Sequence, residues 1–155
     1  MRVQQFAFDG REDNPHLPEN FPTNAVVYTG THDNPTTRSW FDELPDDHRE
    51  NIWNYLKRRG AKSTNAAAAL MELAWCSVAA LAMAPLQDLL NLGNEARMNV
   101  PGRAEDNWRW RATEGMLSDT RFKPLRELTR NKSRSSVLIV QNEKTEKAAS
   151  RSKGA

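Results

Sequence analysis

Residues 25–30 read AVVYTG, four apolar or aromatic positions in an unbroken row, closed by a threonine and a glycine. A run this short and continuous has no polar face to show to water. It fits a strand covered on both sides, the situation of a parallel sheet between helices. That assignment constrains the rest of the chain, because parallel strands need a crossover of about a dozen residues or more rather than a tight hairpin. Two other stretches qualify as parallel neighbours of a strand over Ala25–Thr29. One is VQQFAF, Val3–Phe8, which ends at Asp9-Gly10. The other is the small-residue run SVAALAMAP, read as a strand over roughly Ala79–Met83 because Pro85 is a poor helix-interior residue.

The crossovers differ in kind. REDNPHLPENFPTN carries three prolines in fourteen residues, and each pushes its predecessor out of the helical region, so an irregular loop is expected. Beyond the second strand, Pro45 suits a first helical position, with Asp46 and Asp47 at the positive end of the helix. Ile52, Trp53 and Leu56 recur on one face, Lys57, Arg58 and Arg59 suit the negative end, and Gly60 stops the helix. A second helix is expected from about Thr64 to Ser77, capped by Ser63 or Thr64, with Leu70, Leu73 and Ala74 as its apolar stripe. LQDLLNLG reads as a short turn of helix, and a last helix is expected from Asp119 to about Arg130 with Ser118 as its cap. Strands alternating with helices and long crossovers indicate an α/β fold.

Charge narrows the partners. Lys and Arg number 22 against 20 acids, a formal balance of +2, too even to argue for nucleic acid or an anionic membrane. One cysteine, Cys76, allows no disulfide within the chain and fits a reducing compartment. The first residues lack the apolar stretch of a signal peptide. The apolar region from Ala66 to Leu90 is broken by Glu72, Ser77, Pro85 and Asp88, so no membrane span is expected.

In α/β barrels the site lies at the C-terminal ends of the strands. Those ends carry Asp9, His32 with Asp33, and Gln87 with Asp88. Each has two readings. Asp9 before Gly10 is an ordinary turn residue or a ligand-facing acid. His32-Asp33-Asn34-Pro35 is a turn with Asx hydrogen bonds or a site. For Asp88, capping of the short helix after Pro85 is the preferred reading. The histidines His16, His32 and His48 show no HxxxH spacing, and no CxxC exists, so no metal site is expected. NVPGRAEDNWRWR interleaves Trp108 and Trp110 with Arg109 and Arg111. Such a pattern stacks on bases or on the flat faces of sugars, or packs its rings on a core with its arginines in water.

The blocks VQQFAFDG, NPHLPENF, VVYTGTHDN, PLQDLLNLGNEARMNVPG and NWRWR, in this order, resemble the 4-α-glucanotransferases, the amylomaltases or disproportionating enzymes, over about Met1 to Arg130. The resemblance implies a (β/α)8 TIM barrel, of which this chain would be the C-terminal part, about the last three strand–helix units. Residues 1–130 would be the partial barrel, and residues 131–155, where only SSVLIV is apolar, a mostly disordered basic tail. The implied reaction is retaining transfer of α-1,4-glucan segments between maltooligosaccharides or starch and acceptor sugars, through a covalent glycosyl-enzyme. No cofactor is implied. The implied partners are the α-1,4-glucan, the acceptor sugar and the N-terminal part of the barrel. The implied location is the cytoplasm, or a plastid if the source is a plant or alga.

Carried over residue by residue, the Asp of the THD block is Asp33, the transition-state stabiliser, and the histidine before it is His32. Asp9 matches a position near the bound sugar, and Asn99 one on the rim of the cleft. The family's nucleophile and acid–base precede the sixth strand, where this chain begins, so the isolated chain is expected to be inactive. The alternative is a non-catalytic glucan-binding or interaction module built from the retained rim. Three departures stand out: Pro35 for a frequent Asp, Ser39 for a frequent Gly, and Asp106 for a frequent Gly. The last leaves the conformation of its loop open.

Overall fold

The computed structural model describes residues 1–132 and 134. A parallel sheet runs in the order β1 (Arg2–Val3), β2 (Val26–Tyr28), β3 (Leu81–Met83), with Arg2 beside Val27 and Val26 beside Leu81. The helices are α1 (Thr37–Asp42), α2 (Asp46–Arg58), α3 (Ala66–Cys76), α4 (Leu86–Leu89) and α5 (Asp119–Asn131). The strand order and direction match the expectation, as do the short helix after Pro85 and the last helix.

β1 is far shorter than Val3–Phe8. The chain leaves it for a 3-10 turn over Gln4–Phe6, and two buried glutamines explain why. Polar groups taken out of water need partners, and the Gln4 amide and Gln5 Nε2 find theirs away from a ladder. The Gln4 amide, oriented to satisfy both of its ends, donates to the Leu70 carbonyl at 2.8 Å and accepts from Ala74 N at 3.0 Å. Gln5 Nε2 donates to the Pro35 carbonyl at 3.2 Å and to Thr37 Oγ1 at 3.1 Å. Gly30 lies against this second side chain, since a Cβ there would come within 2.6 Å of Gln5 Nε2. A tightly held amide thus explains the glycine that closes β2.

Val3 N–H donates to His16 Nδ1 at 3.0 Å, so the proline-rich loop supplies a partner for β1. Only the neutral ring can accept there. Burial, with Arg2 and the N-terminal ammonium adding to it and Asp9 opposing, holds His16 below its ordinary 6.5. In the window between the lowered folded value and the ordinary one, the unfolded chain binds more protons, so stability falls as pH drops through that window. Thermal melts from pH 7.5 down to about pH 5 should show this loss. His16→Gln should flatten it, and an identical pH slope in both proteins would remove His16 from the account.

Helix starts differ from the sequence reading. Pro45 stands at the N-cap of α2 rather than its first turn, with Asp46 and Asp47 following as expected. α3 begins two residues later than expected, because Asn65 rather than Ser63 or Thr64 caps it, its Oδ1 accepting from Ala68 N at 2.9 Å. α1 was not expected; it is started by Thr36, whose hydroxyl accepts from Ser39 N. Ser118 occupies the N-cap of α5 without a side-chain cap bond.

α3 is the centre of the core. Its buried residues include Ala66, Ala69, Leu70, Leu73, Ala74 and Trp75, which cover the helix nearly all round, as expected of a helix packed on several sides. One side packs with Phe21, Val27 and Ala79 beneath the sheet, the other with Phe41, Ile52 and Leu56 from α1 and α2. Trp75 Nε1 donates to Thr129 Oγ1 at 3.0 Å and ties α5 to this centre. Cys76, placed in an apolar run by the sequence, is exposed. Of the expected tail, Asn131 ends α5, Lys132 caps it, and Arg134 donates to the carbonyls of Trp75 and Ala79; residues 133 and 135–155 lie outside the described residues.

Candidate functional site

β2 delivers the chain to Gly30, and the turn that follows carries His32 and Asp33. The Asx bonding of this turn belongs to Asn34, whose Oδ1 accepts from Thr31 N at 3.0 Å and Thr31 Oγ1 at 2.7 Å. The Asp33 carboxylate takes no part in it. Its Oδ1 instead accepts from Asn99 Nδ2 at 2.6 Å and lies 3.3 Å from His32 Nε2. Asn99 N–H donates to the His32 carbonyl at 3.1 Å, so this asparagine grips both residues. Arg97 adds a third hold, its Nη2 donating to the Asp33 carbonyl at 2.7 Å and its Nε to the Asn99 carbonyl at 2.9 Å. The His32 and Asp33 side chains remain about half exposed, at 56% and 50%. A carboxylate fixed at one oxygen and still open to solvent can meet a developing positive charge.

Trp108 closes one side. Its ring is tilted against His32 at 5.1 Å between centroids, and it is 49% exposed. Its backbone sits at φ 62°, as does that of Asp106. Both are left-handed conformations that glycine adopts freely, so the loop left open by the sequence holds Asp106 in a backbone that a glycine would favour. The loop is pinned by Asn107, whose Oδ1 accepts from Val100 N at 2.8 Å and whose Nδ2 donates to the Arg103 carbonyl at 2.8 Å. Arg111 donates to the carbonyls of Trp108 and Trp110.

Asp9 lies elsewhere. It follows β1 as Asp33 follows β2, but none of the hydrogen bonds above reaches it. It lines a separate groove with Phe8, His48, Tyr55 and Arg58. The Asn14 amide and the Arg11 N–H hold its carboxyl below the usual range. In the same groove burial, with Glu19 adding to it, pushes the Tyr55 hydroxyl up to about 12. The structure therefore brings together three of the four residues singled out in the sequence, His32, Asp33 and Asn99, and leaves Asp9 apart. Arg97 was missed, although it stands two residues before Asn99 in the same block.

Asp88 does not cap α4. It is buried, and its carboxylate crosses to the ends of the His32–Asp33 turn. Oδ2 accepts from the hydroxyls of Thr29 and Thr37, the latter at 2.7 Å, and Oδ1 accepts from Thr37 N at 3.0 Å. Burial pushes its carboxyl up, against the hydrogen bonds that pull it down. Among the described residues no group of three or more His, Cys, Asp or Glu could hold a metal ion, and no helix is long and apolar enough to cross a membrane.

Comparison with known proteins adds the family. The glycoside hydrolase 77 family model, described as 4-alpha-glucanotransferase, matches residues 1–118. A 4-alpha-glucanotransferase of Synechocystis sp. is 50% identical over 120 residues, which are 77% of this chain and 23% of that protein. The chloroplastic/amyloplastic 4-alpha-glucanotransferase of Solanum tuberosum is 44% identical over 131 residues, 83% of this chain and 22% of that protein. Among solved structures, the amylomaltase of Streptococcus agalactiae in complex with acarbose superposes with a TM-score of 0.79 at 28% identity, over 88% of this chain and 27% of that one. The chain thus spans about a quarter of the length of the relatives it matches. With the family match covering most of its residues, the chain belongs to the 4-alpha-glucanotransferase family.

Proposed function

We propose that this chain is the C-terminal portion of a (β/α)8-barrel 4-alpha-glucanotransferase, and that its His32–Asp33 turn contributes the electrostatic part of a glucan-transfer site. What supports the reading is the junction of two distant blocks: Asn99 and His32 both reach Asp33 Oδ1. In the proposed reaction an α-1,4-glucan is cleaved and the released segment passes to an acceptor sugar's hydroxyl. A retaining mechanism uses a nucleophilic carboxylate and an acid–base carboxylic acid about 5 Å apart. These come from the part of the enzyme that this chain does not span. Asp33 faces the positive charge that develops near the anomeric carbon and ring oxygen, and so stabilises the transition state more than the neutral ground state. His32 donates to a sugar hydroxyl and helps fix the ring pose. Asn99 keeps the carboxylate in place on the cleft rim, and Asp9 meets a more distant part of the glucan. The cytoplasm, or a plastid, is the proposed location, since the relatives include bacterial enzymes and chloroplastic ones.

The test uses maltotriose and chromatographic detection of longer and shorter products. The 155-residue chain alone should not disproportionate it. Fusion or co-expression with the N-terminal part of a relative should restore transfer. Robust transfer by the isolated chain would overturn the reading and require a carboxylate pair within these residues.

A further inference from the structure

The turn from Gly30 to Thr36 leaves the sheet at Thr29 and enters α1 at Thr37, and one buried side chain holds both ends. Asp88, 3% exposed, comes from α4, far away in sequence. Its contacts at Thr29 and Thr37 span 59 and 51 residues. Thr37 Oγ1 also accepts from Gln5 Nε2, and the same amide group donates to the Pro35 carbonyl. The 3-10 turn after β1, the end of β2, α1 and α4 thus converge beneath one turn. Gln5 and Asp88 of this knot also line a small pocket with Gly30, Thr31, His32 and Arg97.

We propose that Asp88 is a positioning residue that clamps the two ends of the His32–Asp33 turn and so sets where the Asp33 carboxylate stands. It does not touch the substrate. The residue type follows from the donors, for two hydroxyls and one backbone N–H converge on it, and only a carboxylate offers two acceptor oxygens with no competing donor. Asparagine would present an N–H₂ where an acceptor is needed. A helix-capping role would leave Thr29 and Thr37 untouched, and both are fully buried. The clamp rests on the glucan-transfer reading only for its consequence in turnover; its effect on the turn is independent of that reading.

Hydrogen–deuterium exchange on the full chain tests it, with Asp88→Ala, Thr29→Val and Thr37→Val. In Asp88→Ala, peptides covering residues 29–37 and 97–100 should exchange roughly tenfold faster or more, while α3 peptides keep their protection. Each threonine variant removes one arm and should loosen the same peptides less, which preserves the test if Asp88→Ala does not fold. In the enzyme completed with the N-terminal part, Asp88→Ala should lower kcat with little change in KM, and Asp88→Asn should recover part of the loss. Uniform deprotection that includes α3 in the threonine variants, or unchanged exchange over 29–37 in all three variants, would overturn the clamp. A loosened turn with undiminished glucan transfer would uphold the clamp and overturn the function proposed for Asp33.

Discussion

Asp33→Asn, in the enzyme completed by the N-terminal part of a relative, is expected to lower kcat for maltotriose disproportionation by about 10²–10³-fold, the usual effect of removing one transition-state stabilising group. KM should change much less. The substitution is nearly isosteric, and an asparagine oxygen can still accept from Asn99 Nδ2, as Asp33 Oδ1 does at 2.6 Å. What disappears is the negative charge. A neutral glucan in the ground state is indifferent to it, while an oxocarbenium-like transition state is not. Equal falls in kcat and kcat/KM are therefore the signature to look for. A variant with full turnover would remove Asp33 from the mechanism. A raised KM with unchanged kcat would reassign it to ordinary sugar binding.

The other large effect concerns stability. Leu70→Ala is expected to cost about 2–5 kcal/mol in denaturant unfolding of the chain. Leu70 is fully buried between Phe41, Ile52 and Leu56 on a helix that touches both halves of the core. Its carbonyl is also the acceptor for the Gln4 amide, so movement of α3 into the cavity would disturb the exit from β1. Against the 5–15 kcal/mol typical of a domain, such a loss is large. Leu70→Met, which conserves volume, should cost less than about 1.5 kcal/mol. A Leu70→Ala cost below that of the methionine variant would contradict the packing described for α3.

The sheet was readable in sequence because its signal is apolar continuity: AVVYTG becomes β2, and the small-residue run before Pro85 becomes β3. Helix α2 was readable because Ile52 and Leu56 recur at helical spacing and both are buried. What escaped was decided by polar groups with distant partners. Nothing local in VQQFAF says that Gln4 and Gln5 will leave the ladder, since their partners lie on α3, at Pro35 and at Thr37. Asp88 read as a helix cap for the same reason, its three donors being far off in the chain. For the site, His32 and Asp33 stood out because packing does not call for them at a strand end. The grip of Asn99 and Arg97 on them emerges only once the chain is folded.

The register of the sheet also bears on how quickly the molecule forms. Arg2 pairs with Val27 and Val26 with Leu81, so every strand contact joins segments far apart in sequence, and each strand is only two or three residues long. Loop-closure entropy is lost before so short a ladder returns anything, which makes the sheet a late and slow event. The helices carry local contacts and need no such closure. Assembly is therefore expected to start from α2 and α3, where Leu56 and Leu70 share one core cluster, with the strands docking onto that helical nucleus afterwards; φ-values at these two leucines higher than those of β2 residues are the kinetic result that checks it. The turn bearing His32 and Asp33, anchored by Gln5, Asp88, Arg97 and Asn99 from distant stretches of sequence, is expected to be among the last parts to take its shape.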